Sequence, residues 1–284
     1  MSTTRNLVGR LPTTGRIGLA IVGIVALFAL ISLVWTPQPP TLAVAAERLQ
    51  GPSWDHLLGT DRFGRDVLSR LMVGAGITLG VGLIAVTIAA LIGVPLGIAA
   101  GMHRGGALDA VLMRGADLLL AFPALLLAII AGAVWGPSTV TAMIAIGVAG
   151  IPSFMRLARA GTLQIIHQDY IAAARLSQVP GPVIAWRHIM PNISSVIVVE
   201  ASIYFALAIL AEAALSYLGL GTPPPAASWG RMLHDAQSFL ATDPWLAIFP
   251  GAAIALTVLG FNLLGDGLRD AMDARLDKER QAVA

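Results

Sequence analysis

Six apolar runs divide the chain: Ile17 to Trp35, then about 74–101, 110–134, 138–158, 193–218 and 244–266. Each is bounded by charge, proline or glycine, and a bilayer core takes roughly 20 apolar residues per helix. The pattern predicts an all-α integral membrane protein with six transmembrane helices. The polar stretches between the runs divide the chain into a tail over 1–16, a first helix over 17–35 and a segment outside the bilayer over 36–73. A membrane core over 74–266 follows, with a long loop at 160–192, and then a second tail over 267–284. The first run also has the flanks of a secretory signal, with Arg5, Arg10 and Arg16 before it and Ala43-Val44-Ala45 as a cleavage site. It is longer than the ~7–15-residue core of such signals, and the site lies beyond Pro37, Pro39 and Pro40. A retained helix is the favoured reading.

Composition agrees with the pattern. Hydrophobic residues fill 56% of the 284 positions and charged residues 12%, about half the share usual in soluble domains. Mean hydropathy is +0.79. The net charge of +2 says little, but its distribution orients the chain. With the N-terminus inside, thirteen basic residues fall in 1–16, 102–116, 156–192 and 267–284, against Arg48, Arg62, Arg65, Arg70 and Arg231 outside. This positive-inside asymmetry places both termini in the cytoplasm.

The absence of cysteine excludes disulfides and thiolate sites. The only lysine, Lys278, lies between Asp277 and Glu279, so the chain has no phosphate-binding P-loop, and any ATP must be held by another chain. The five histidines are scattered, and neither a zinc-binding helix motif, a nucleophile elbow nor a dinucleotide fingerprint is present. No catalytic or metal site is expected. Gly76/Gly80, Gly93/Gly97 and Gly97/Gly101 have the spacing of closely packed membrane helices, and Pro95 interrupts the same run. Asp117 and Asp266 lie near helix ends, within reach of Arg114 and Arg269. Glu200 and Glu212 share the fifth run, about 18 Å apart along a helix. As pathway or gate candidates they would form a proton relay or, as favoured here, hydrogen-bond neighbouring helices or line a polar cavity.

The 160–192 loop is long enough to hold structure of its own. Asp169 reads as the N-cap of a short helix from Tyr170 to about Gln178, which includes Ala172, Ala173, Ala174 and Arg175 and ends at Pro180-Gly181-Pro182. A second short helix fits Pro182 to Met190, with Pro191 stopping it before the fifth span. The pair presents an apolar face with Ile184, Trp186 and Ile189, and a basic side with Arg175 and Arg187. Such a loop is either a surface connector or a docking knob for a cytoplasmic partner.

The run Asp169-Tyr170-Ile171-Ala172-Ala173-Ala174-Arg175, followed by Arg187-His188-Ile189-Met190-Pro191-Asn192, resembles the "EAA" loop of ABC-importer permeases. The resemblance is to the dipeptide/oligopeptide/nickel branch, and within it to the second, dipeptide-permease C type subunit. Leu58 to Arg70, Ala211 to Gly221, Ser228-Trp229-Gly230 and Asn262 to Asp270 are similar to other segments of that branch, so the likeness runs from about Leu58 to Arg275. It implies the type I ABC-importer permease architecture in a bacterial inner membrane. It also implies a homologous permease partner, and two ATP-binding domains on one or two chains that hold ATP and Mg. An extracytoplasmic solute-binding protein and membrane lipid complete the partners, with no nucleic acid and no cofactor on this chain. The coupling residues would be Asp169, Tyr170, Ala172, Ala173, Ala174, Arg175, Arg187 and Pro191. The binding protein would meet the outer loops over 36–73 and 219–243, where Trp229 and Arg231 are docking candidates, although Trp229 equally suits an interfacial anchor.

Two positions depart from the family pattern, with Ala172 where Glu is usual and Gln178 where Gly is usual. The first predicts a helix lacking its capping-box partner, and the second leaves the following turn open. The resemblance favours peptides as the solute, with nickel or another small solute open. A proton-coupled secondary transporter remains the competing class, a scaffold would leave the loop unexplained, and a membrane enzyme would lack a catalytic set.

Overall fold

A computed structural model describes residues 11–283, with side chains described as far as Met272. Arg5, Arg10, Arg275, Lys278 and Arg280, part of the expected inside charge, therefore lie outside the described side chains. The helices are α1 (Thr13–Ile31), α2 (Val67–Met102), α3 (Ala107–Ala121), α4 (Ala124–Trp135), α5 (Thr139–Ile165), α6 (Asp169–Leu176), α7 (Gly181–Tyr217), α8 (Trp229–Ala236) and α9 (Trp245–Val283). Among the described residues there is no strand, only an isolated bridge between Thr60 and Asp66. Five helices are long and apolar enough to cross a bilayer, and the α3–α4 pair brings the number to six.

That pair corrects the sequence reading, which took 110–134 as one straight span. The helices meet at 82°. Phe122 is extended (φ −94°, ψ 127°) because the residue before a proline is pushed out of the helical region, and Pro123 itself lacks the amide a continuing helix needs. With 12 residues, α4 is about 18 Å long, too short to span alone.

The second span also begins earlier than expected, at Val67 instead of 74. Asp66 caps it, its Oδ2 accepting from the Ser69 amide at 2.8 Å and the Ser69 hydroxyl at 2.7 Å. The last helix likewise runs on to Val283, past the expected end at 266, so the 267–284 stretch begins as helix.

Helices α2 and α5 pack against each other most extensively, and glycine permits their approach. A Cβ on Gly97 would lie 2.2 Å from the Met155 carbonyl oxygen, and one on Gly93 2.6 Å from that of Ile151. Gly76 and Gly80 meet nothing within 4 Å, so among the described residues only the two spaced pairs that share Gly97 serve close packing. On the other side α9 packs against α1 and α7.

Candidate functional site

The 166–192 region forms a compact unit seated on the ends of α2 and α5. Ile171, Ala174, Ile184 and Ile189 are buried in one cluster with Val94, Ile98, Phe154, Ala158 and Ile193. The opposite side is bare. Tyr170, Ala173, Arg175, Leu176, Trp186 and Arg187 are exposed, Leu176 at 86% and Trp186 at 74% of their possible surface. Large apolar side chains, rimmed by arginine and standing on a fixed base, form an exposed patch of the kind that docking surfaces present.

Three local expectations change. Gln168, not Asp169, is the N-cap of α6; its backbone is extended (φ −75°, ψ 146°) and no side chain caps the helix. Asp169 is instead the first helical residue, where its charge favours the positive end of the helix dipole. Ala172 is then the fourth helical residue, and the N3 position is occupied by the fully buried Ile171. A glutamate at 172 therefore would not close a capping box. The turn from α5 causes this, since the Gln168 amide bonds to the Ile165 carbonyl at 2.9 Å and sets the boundary one residue earlier.

The turn after α6 keeps the geometry a glycine would give. Gln178 sits at φ +56°. Its amide bonds to the Arg175 carbonyl (2.9 Å), and the Val179 amide bonds to that of Ala174 (3.0 Å), the paired bonds that close a helix through a left-handed residue. A non-glycine residue pays about 1–2 kcal/mol for that conformation. Gln178→Gly is expected to raise the midpoint of thermal inactivation in detergent and leave transport intact; a lowered midpoint would contradict this account.

Pro191 does not stop the second short helix. Gly181–Ile184, a wide π-turn over Ala185–Ile189 and Met190–Tyr217 run on as one helix, with Pro191 in the first turn of the last part. A proline ring collides with the carbonyl four residues back, here Arg187, and the widened turn relieves this. Asn192 Nδ2 donates to the His188 carbonyl at 2.6 Å.

The two glutamates of α7 have different surroundings. Glu212 is fully buried; its Oε1 accepts from Ser216 Oγ (2.6 Å) and Thr222 Oγ1 (3.4 Å), and the Thr222 amide donates to Ser216 Oγ (2.9 Å). Thr78 and Ser228, also fully buried or nearly so, lie against the same carboxylate. The group fastens the 219–228 loop to α2 and α7. Glu200 is only half-buried and lines a cavity of about 310 Å³ between α5, α7 and α9.

Trp229 and Arg231, the docking candidates, are used internally. Trp229 is 2% exposed, lies over Gly74 and donates its Nε1 proton to the Leu71 carbonyl at 3.0 Å. It is therefore neither an interfacial anchor nor an exposed contact. Arg231 pairs with Asp235 at 3.2 Å.

That aspartate belongs to an ion cluster the sequence reading missed. Asp235 Oδ1 meets Arg62 at 2.9 Å and Arg231 at 3.2 Å, and its Oδ2 meets Arg65 at 3.2 Å. Arg65 also bonds Asp61 at 2.7 Å, which lies 3.5 Å from the buried Arg70. The Phe63 ring takes the Arg62 and Arg65 guanidiniums at 4.6 and 4.5 Å from its centroid. The available signal was the density of charge in Asp61-Arg62-Phe63-Gly64-Arg65-Asp66, too high for a passive linker.

Residues 93–278 match the family described as binding-protein-dependent transport system inner membrane component. A dipeptide transport system permease protein of Alkalihalophilus pseudofirmus is 42% identical over 263 residues, covering 91% of this chain and 86% of that protein. A di/tripeptide transport system permease protein of Pseudomonas aeruginosa is 38% identical, covering 92% and 88%. A glutathione transport system permease protein of Pectobacterium atrosepticum is 45% identical, covering 80% and 75%. Among solved structures, a chain of the MetNI methionine ABC transporter in an inward-facing conformation has the same fold, with a TM-score of 0.59 at 16% identity, covering 70% of this chain and 94% of that one.

Proposed function

Because the chain belongs to the family of binding-protein-dependent transport system inner membrane components, we propose that it is the transmembrane subunit of an ATP-driven importer of di- or oligopeptides or a related small solute. A homologous permease would complete the pathway, two ATP-binding domains on one or two other chains would supply the work, and a solute-binding protein would deliver the cargo. The relatives transport dipeptides, di/tripeptides and glutathione by name, which supports a short peptide-like solute. In this reading both termini and the 169–190 unit are cytoplasmic, and the 36–66 and 219–243 regions face outward.

One observation carries the mechanical part. The 169–190 unit has a buried side locked to α2 and α5 and an exposed side with Tyr170, Leu176 and Trp186, which none of the described residues covers. A push on that surface reaches α7 directly, since the π-turn joins it to the span without a flexible linker. Rigid packing transmits a displacement because close-packed interiors do not deform continuously. ATP and Mg would be bound by the partner domains; among the described residues no group of histidines or carboxylates could hold a metal.

The test is biochemical. Purified alone, the chain is expected to hydrolyse no ATP, and co-expressed with its ATPase partners it is expected to co-purify with them and drive uptake. Robust hydrolysis by a preparation free of other polypeptides would overturn the subunit assignment.

A further inference from the structure

The cavity between α5, α7 and α9 contains an arrangement that the importer reading alone does not require. Its wall is mostly apolar, with Leu157, Val196, Val199 and Ile203, but it also carries Glu200 and Arg269. At about 310 Å³ it is within the range of small-ligand sites. Glu200 stands ten residues from Met190, about 15 Å into the span from the 169–190 end. Charged groups that deep face protein, water or a ligand, and mark functional positions.

One close approach between the helices fixes the register of the opposite charge. Gly265 of α9 lies against Val199, Ser202 and Ile203, where a Cβ would come 3.2 Å from that of Ser202. Arg269 is four residues on from Gly265, about 6 Å nearer the 169–190 end, and Glu200 is two residues from Ser202 in the same direction, so the two backbone positions stand about 3 Å apart along the helix axes. Arg269 is exposed and Glu200 half-buried, which puts the cation at the mouth and the anion further in.

Among the described residues neither Glu200 nor Arg269 makes an ion pair or a side-chain hydrogen bond. Tyr204, one turn along α7 from Glu200, spends its hydroxyl on the Ile146 carbonyl at 2.6 Å. Asp266 and Asp270 adjoin Arg269 on its own helix, and both are exposed. An apolar wall with one carboxylate and one guanidinium held apart complements a small molecule whose own ends are a cation and an anion.

We propose that this cavity is an inner subsite for the charged ends of a short zwitterionic peptide, Glu200 receiving the α-ammonium group and Arg269 the α-carboxylate. It deepens the peptide-importer reading and rests on it. The probes are L-alanyl-L-alanine, its N-acetyl derivative and its amide. They are measured by saturation-transfer NMR on the assembled complex in nanodiscs, without the solute-binding protein. Parent complex is expected to bind the dipeptide and discriminate against both blocked forms. Glu200→Gln should weaken dipeptide binding about tenfold, the effect of losing one charge-assisted contact, and abolish discrimination against the N-acetyl form. Arg269→Gln should do the same for the amide.

Equal binding in parent and variants would overturn the subsite. So would loss of the partner permease on co-purification of either variant, which would make the cavity a subunit interface. A variant effect that vanishes in nanodiscs lacking phosphatidylethanolamine would assign it to a lipid headgroup. ATP-driven uptake of the dipeptide in proteoliposomes separates the two levels: uptake without subsite binding sinks the subsite alone, and no peptide uptake at all sinks the importer reading and the subsite with it.

Discussion

Asp235→Ala is expected to destabilise the protein by about 3–5 kcal/mol, the cost of removing one partner from a buried ion pair. Three guanidiniums meet this carboxylate, and the cluster already holds four arginines, Arg62, Arg65, Arg70 and Arg231, against two aspartates, Asp61 and Asp235. Removing Asp235 leaves one anion for four cations in a region where Arg65 and Arg70 are almost fully buried. The cluster also joins chain segments far apart in sequence, because Arg70 donates to the Pro40 and Pro225 carbonyls at 3.3 and 3.4 Å and Arg62 reaches across to α8. The fraction of purified protein left monodisperse after stepwise heating in detergent checks the claim. Asp235→Asn, which keeps an acceptor and loses the charge, should fall between parent and Ala. Adding Arg231→Ala to Asp235→Ala should recover part of the loss, a positive coupling between neighbours. An Asp235→Ala protein as heat-resistant as the parent would show that the cluster carries no net stability.

The helical membrane architecture was legible because long apolar runs admit few alternatives once backbone groups must be satisfied inside the bilayer. Boundaries were less legible, and each error has a specific cause. Arg70 made residues 67–73 look like loop, yet its charge is met by Asp61 and by carbonyls that only the folded chain brings near. The bend at Phe122-Pro123 had its signal in plain view, but the run was long enough to pass for one straight span.

The candidate site divides in the same way. The short helix, its Pro-Gly-Pro break and its basic exposed residues followed from local composition. Which side of it is buried did not, because Ile171 and Ala174 are defined by Phe154 and Ala158 on another helix. Trp229 was misread for a similar reason. An aromatic residue between two spans suggests the membrane interface, whereas its indole is claimed by Gly74 and Leu71, some 155 positions earlier, and the residue type carries no mark of that.

Charge placed on the exposed side of α6 is expected to uncouple transport from ATP. Ala173→Asp and Arg175→Glu both alter exposed positions, so they leave the buried cluster intact, and the protein should insert and resist heat as the parent does. Ala174→Asp is a different experiment, because that methyl group is 9% exposed and packs with Ile171 and Ile184, so the variant should lose the loop's own packing. At a docked interface, an unpaired desolvated charge costs about 2–5 kcal/mol, enough to reduce association at least tenfold. Trp186→Ala should act in the same direction by about 2 kcal/mol, since buried aromatic anchors dominate such contacts. The readouts are recovery of the ATPase subunits with the tagged permease, and ATP-driven uptake in proteoliposomes. If Ala173→Asp, Arg175→Glu and Trp186→Ala all kept full ATPase association and uptake, the exposed side of this unit would not be the surface through which ATP hydrolysis reaches the pathway.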